Sequence, residues 1–138
     1  MNKPIHKTLL TLLIIYGMAS LIHFIHNAEF LADYPNLPTT WTRAGVYFAW
    51  LGLTVIGVGG WFLMLRGFPR VGLLVLAVYA AFGLDSLGHY VVAPMEDHTL
   101  AMNSTILFEV IAAALVLIEV TRQMARQLLQ RQAIGDDT

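Results

Sequence analysis

Long apolar stretches dominate the chain, and polar residues interrupt them at only a few places. A transmembrane helix needs about 20 mainly apolar residues, and the sequence contains four stretches of this kind. Short connections that contain proline, glycine or acidic residues separate them. The pattern therefore predicts an all-α membrane protein with four transmembrane helices, at about residues 9–26, 44–65, 71–92 and 100–120.

These stretches occupy most of the 138 residues, so we expect a single transmembrane domain over residues 1–138. The first stretch is long and lacks a small-x-small cleavage site, which favours an uncleaved span over a signal peptide. Short connections place consecutive helices side by side in an up-down bundle. After the fourth span, we expect the helix to continue into the cytoplasm as a tail to about residue 132.

Basic residues predict the orientation of the bundle. Seven of the eight lie on one side of the predicted spans, and Arg43 lies on the other. Because positive charges near span ends are retained in the cytoplasm, we expect both termini to be cytoplasmic. The inner membrane of a bacterium is the most economical location for so small a bundle. The seven residues are Lys3, Lys7, Arg66, Arg70, Arg122, Arg126 and Arg131.

Composition supports the membrane assignment and narrows the chemistry. Hydrophobic residues make up 57% of the chain and charged residues 12%, whereas about a quarter of an average soluble domain is charged. The absence of cysteine excludes thiolate metal sites and a cysteine nucleophile. A formal net charge of -1 gives no reason to expect a nucleic-acid partner.

Ionisable side chains within the spans are the most informative positions, because they are costly in lipid and usually face a bundle interior or a cavity. A rise of about 1.5 Å per residue places His89 about 3 Å and Asp85 about 9 Å below the outer boundary. Glu109 lies about 16 Å deep, too deep to join the upper groups without a tilt or kink. The candidates are His23, His26, Asp85, His89, His98 and Glu109.

Two shorter patterns concern helix contacts. Glycines within residues 57–60 favour close approach of a neighbouring helix. Arg43, near the outer face, is expected to pair with Glu29 or Asp33, or to hold an anionic ligand group. An exposed pair of this kind contributes little to stability.

The ends of the first and third spans share a short sequence. Residues 17–24 read GMASLIHF and residues 83–90 read GLDSLGHY, so both fit G-x-x-S-L-x-H-aromatic. A true repeat would make the bundle two pseudo-symmetric helical hairpins, with His23 facing His89 at similar depth. The alternative is chance similarity, since glycine, serine and leucine are common in membrane helices.

Imidazole and carboxylate groups together suit zinc, copper or iron. The first hypothesis is therefore a transition-metal site near the outer, extracytoplasmic face, used for metal handling or membrane redox chemistry. Asp85 would be a ligand or would orient His89 by accepting its N–H. The proposed ligands are His23, His26, Asp85 and His89, with His98 or Glu109 as additions.

Two alternatives use the same residues differently. In a b-type haem protein, His23 and His89 would be the axial ligands, and electrons would pass to or from quinone. In a non-enzymatic accessory subunit or small-solute carrier, the histidines and acids would form a polar hydrogen-bonded core. Membrane lipid is an expected partner, and a larger membrane complex or a homo-oligomer fits either alternative. The sequence does not decide whether the protein is an enzyme.

Overall fold

The computed structural model describes the backbone of residues 3–135 and the side chains of residues 7–130 and 132. Within that part, the chain is helical and contains no β-strand. The side chains of Lys3 and Arg131, which enter the charge argument, lie outside the described residues. The helices are α1 (Lys3–Glu29), α2 (Arg43–Leu65), α3 (Pro69–Leu84), α4 (His89–Val92) and α5 (Leu100–Gly135). Short 3-10 turns cover Leu31–Asp33, Asp85–Gly88 and Met95–Asp97.

Among the described residues, four helical segments are long and apolar enough to cross a membrane, as the sequence predicts. Two of them differ from the prediction in detail. The first helix continues beyond residue 26 and ends at Glu29. The third segment is divided, because the turn Asp85–Gly88 separates α3 from α4. The four segments are Lys7–Glu29, Arg43–Leu65, Pro69–Val92 and Leu100–Gln130.

The long helices pack around a core that contains several small side chains. Helix α3 packs against α2 and α5, and α1 packs against α5 and α2. Large apolar side chains also point outward, among them Ile14, Val55 and Ile118, each about 60% exposed. Extensive exposed apolar surface is typical of a face that contacts lipid or a partner. The main apolar core contains Leu9, Tyr16, Ala19, Met64, Leu73, Leu76, Tyr79, Ala80, Ala112, Ala113, Val116 and Val120.

Close contact between α2 and α3 depends on glycine. A Cβ atom at Gly57 would lie 2.7 Å from the Tyr79 ring, and one at Gly60 would lie 2.9 Å from Leu76. Opposite them, a Cβ atom at Gly72 would lie 2.7 Å from the Gly60 carbonyl oxygen. Gly59 faces open space. The expectation of close helix approach is therefore met at Gly57 and Gly60.

Polar contacts connect the end of α1 to the start of α2. The Arg43 guanidinium lies 2.6 Å from Glu29 Oε1, and the Tyr47 hydroxyl donates to the same oxygen at 2.6 Å. Thr42 caps α2 because its side-chain oxygen accepts the Gly45 N–H at 3.0 Å. Of the two acids expected to pair with Arg43, the structure selects Glu29.

The two segments that share the G-x-x-S-L-x-H-aromatic pattern adopt different backbone structures. Residues 17–24 lie within the continuous helix α1, whereas residues 83–90 contain the 3-10 turn Asp85–Gly88. A 3-10 turn inside a helical segment often marks strain or a functional position. The sequence similarity is therefore not accompanied by similar local structure.

We predict that Gly72→Ala destabilises the protein by about 1–3 kcal/mol, as overpacking does in other cores. The added methyl group would collide with the backbone of α2, which cannot move aside as a flexible side chain does. Gly59→Ala is the matched control, because its methyl group meets open space and helix propensity favours alanine by about 1 kcal/mol. Reversible unfolding in mixed micelles measures the free energy of unfolding of both variants. Equal losses of stability would contradict the packing of α2 against α3.

Candidate functional site

A cavity of about 640 Å³ lies among α1, α2 and the α3–α4 segment. The connection before α2 contributes Trp41 to its wall, and the cavity is partly open to the surroundings. Most of its lining is apolar. Polar side chains that line it come from α1, from the end of the third segment and from the connection before α2: His23, Asn27, Asp85, Ser86, His89, Thr40 and Thr42.

Beside the cavity, polar side chains from three segments form a layer across the bundle, here called the polar layer. On one side of it lies the main apolar core, and on the other lies a small cluster of Tyr34, Met102 and Ile106. Buried polar groups are costly unless they are hydrogen-bonded, so their contacts define the site. The polar layer consists of Ser20, His23, Asn27, Ser86, His89 and Glu109.

Glu109 is 1% exposed and is the most deeply enclosed carboxyl group of the described residues. Its Oε2 atom accepts a hydrogen bond from the Ser86 hydroxyl at 2.6 Å and lies 3.7 Å from His23 Nε2. The sequence predicts that Glu109 joins the upper groups only with a tilt or kink. In the structure, Glu109 contacts Ser86, which lies in the 3-10 turn that interrupts the third segment.

The contacts of His23 indicate which of its two ring nitrogens carries a proton. The Thr105 hydroxyl donates to the Met102 carbonyl oxygen at 3.0 Å, so it accepts from His23 Nδ1 at 3.3 Å. In a neutral imidazole, Nε2 then carries a lone pair. His23 Nε2 lies 3.7 Å from Glu109 Oε2, which is beyond direct hydrogen-bond distance but close enough for an electrostatic interaction. His23 therefore connects α1 to α5, and it also lines the cavity.

His89 lies against His23, with ring centroids 5.4 Å apart and the rings nearly perpendicular. Its Nε2 atom accepts the side-chain N–H of Asn27 at 3.2 Å. The expected hydrogen bond between His89 and Asp85 is not made in the described part of the chain. The turn Asp85–Gly88 replaces the α-helical spacing that would have placed the two side chains one turn apart on the same face.

The two remaining histidines lie in a neighbouring group around Tyr34. His26 Nδ1 lies 3.0 Å from the Tyr34 hydroxyl, and His98 Nδ1 donates to the Pro94 carbonyl oxygen at 3.0 Å. The Tyr34 ring also contacts the rings of His89 and His98, at centroid distances of 5.0 and 6.3 Å. Within this group, Tyr34 belongs to the connection that precedes α2, and His98 belongs to the connection that precedes α5.

The six predicted site residues therefore fall into three environments. His23, His89 and Glu109 come together in the polar layer, His26 and His98 lie around Tyr34, and Asp85 is exposed on the cavity wall. Among the described side chains, no group of three or more histidine, aspartate or glutamate residues is arranged to hold a metal ion.

Four residues of the site were not among the predicted ligands: Ser20, Asn27, Ser86 and Tyr34. Asn27 lies four residues after His23, so helical spacing places it on the same face and could have identified it. Ser86 belongs to the short shared sequence, but nothing in that pattern indicates its contact with Glu109. Tyr34 precedes Pro35 in a connection, and its burial depends on how that connection folds over the helices.

No protein-family model matches the chain, and no significant match is found among curated proteins or solved structures. Functional inference therefore rests on the cavity and on the polar layer.

We predict that Tyr34→Phe changes the alkaline stability of the protein. Burial raises the pKa of Tyr34 to about 12, so its stabilising contribution is complete below pH 10 and is lost as the pH rises towards 12. The variant should be less stable than the parent by about 0.5–1.5 kcal/mol at pH 8, because it lacks the hydrogen bond with His26. It should lose less stability between pH 10 and 12. Parallel unfolding curves over this range measure the difference, and identical alkaline losses would contradict the burial of Tyr34.

Proposed function

We propose that the protein binds a small amphipathic, membrane-soluble molecule in the cavity. The observation that carries this proposal is a cavity of about 640 Å³ whose lining is mostly apolar but includes the buried polar side chains His23, Asn27 and His89. Small-molecule sites typically combine an apolar cavity of this size with a few fixed polar groups. The apolar part of the ligand packs on the wall, and its polar end meets these three side chains.

Rigid placement of the polar groups supports this proposal. His23 contacts Thr105 and Glu109 on α5, and Asn27 is joined to His89. Side chains held in this way lose little conformational freedom when a ligand binds, which favours affinity. Of the hypotheses drawn from the sequence, this function is closest to the small-solute carrier with a polar core.

Metal binding and haem binding by the same histidines stay predictions that the geometry favours less. His23 and His89 are in direct ring contact, and a porphyrin between them would require the rings to separate. A metal ion on both would replace the contacts that they make with Glu109 and Asn27. A visible spectrum and elemental analysis of the purified protein distinguish these functions from binding of an organic ligand.

We further propose that the four spans form an up-down bundle with both termini in the cytoplasm. Seven of the eight basic residues lie on the same side of the spans, and the positive-inside rule supports this orientation. The cavity then lies towards the extracytoplasmic face. A bacterial inner membrane is the location that we propose for the bundle.

Photolabelling with 3-azioctanol tests the proposed cavity, because this probe is a small neutral amphiphile. We predict saturable labelling of peptides that contain residues 37–53 and 82–92, and loss of that labelling when excess 1-octanol competes. Ala49→Trp should reduce the labelling at least about fivefold, since Ala49 lines the cavity and the larger side chain fills part of it. Mass spectrometry of the digested protein identifies the labelled peptides and measures how much label each one carries.

Val55→Trp is the matched control for this experiment. Val55 lies on the same helix, is 63% exposed and does not line the cavity, so its substitution should leave the labelling unchanged. Labelling spread evenly over outward-facing residues, without competition by 1-octanol, would contradict the proposed function.

A further inference from the structure

We infer that the ligand of the cavity is a lipophilic amine in its protonated, monocationic form, with Asp85 as its counter-charge. This inference rests on the proposed function and specifies the chemical class of its ligand. It is carried by three properties of the cavity, each assessed among the described residues: an unpaired carboxylate, the absence of a balancing cation, and a buried acceptor without a partner.

Asp85 lies within the third membrane-spanning segment and lines the cavity. In the part of the chain that the structure describes, no hydrogen bond or ion pair engages its carboxylate. Ionisable side chains inside a membrane are costly and usually pair with another group, so an unpaired one is evidence of a functional site. A cationic ligand that enters the cavity would supply the opposite charge.

Positive side chains are absent from the described lining of the cavity, which contains neither lysine nor arginine. Arg43, at the start of α2, adjoins the lining residue Thr42, but its guanidinium already contacts Glu29 at 2.6 Å. His89 accepts the N–H of Asn27 at Nε2, which is the arrangement of a neutral imidazole. A carboxylate or phosphate ligand would therefore meet Asp85 without a compensating cation, and the cavity disfavours anions.

Asn27 adds a requirement for a hydrogen-bond donor. Its side chain lines the cavity and is 4% exposed, and Oδ1 has no hydrogen-bond partner among the described residues. An ammonium group offers up to three N–H donors, which can serve both the Asn27 oxygen and the Asp85 carboxylate. Aromatic rings of Phe24, Trp41 and Phe82 also line the cavity, and such rings attract cations. A protonated amine on an apolar body fits all of these groups.

Three probes with the same apolar body test the inference: 4-phenylbutylamine, 4-phenylbutan-1-ol and 4-phenylbutanoate. Calorimetric titration of the full chain in detergent at pH 7 should give an amine affinity at least about tenfold above that of the alcohol, as expected for a charge-assisted hydrogen bond. The carboxylate should bind more weakly than the alcohol. Asp85→Asn should remove the preference for the amine and leave the affinity for the alcohol unchanged.

Asp97→Asn is the matched control, because Asp97 is exposed on the turn Met95–Asp97 and does not line the cavity. This variant should keep the full preference for the amine. Equal binding of amine and alcohol, or an amine preference that survives Asp85→Asn, would overturn this inference and leave the proposed cavity function intact. Absence of saturable binding by all three probes would instead contradict the proposed function, and this inference with it.

Discussion

The burial of the Glu109 carboxyl group in an apolar bundle is the constraint on which the rest of the site depends. A buried carboxyl group requires partners, and within the described residues those partners come from other helices. Ser86 donates to it from the third segment, and His23 approaches from α1. Three segments of the chain are therefore tied together at one level. The contact with Ser86 also involves the turn Asp85–Gly88, so the irregular part of the third segment belongs to the same arrangement.

This arrangement explains why the cavity has one polar side. The main core is built from close contacts of small and apolar side chains, and it ends where the polar layer begins. Above that level, α1, α2 and the third segment leave an open space that the polar layer borders. His23 and Ser86, which contact Glu109 from other segments, also line the cavity. The proposed binding and the contacts between helices therefore involve the same side chains.

The apolar stretches of the sequence predicted the four long helices well, because the length and spacing of apolar residues are local properties of the chain. Local spacing did not predict contacts that depend on helix ends and on loop folding. The 3-10 turn separated Asp85 from His89, and it also contains Ser86, which contacts Glu109. Tyr34 lies in a connection without periodicity, so its contacts with His26, His89 and His98 could not be anticipated. Helical spacing singled out the polar residues, but their division among three environments depends on the tertiary structure.

A double-mutant cycle of His23→Asn and Glu109→Gln tests the central contact most directly. Reversible unfolding in mixed micelles gives the free energies of unfolding of the parent, the two single variants and the double variant. The account predicts a coupling energy above about 1 kcal/mol, larger than the average of about 0.6 kcal/mol for interhelical hydrogen bonds in membranes. The control cycle combines Glu109→Gln with Glu119→Gln. Glu119 accepts a hydrogen bond from Gln123 elsewhere on α5, so the effects of these two substitutions on the free energy of unfolding should be additive. Additive effects of His23→Asn and Glu109→Gln, within about 0.5 kcal/mol, would contradict the account.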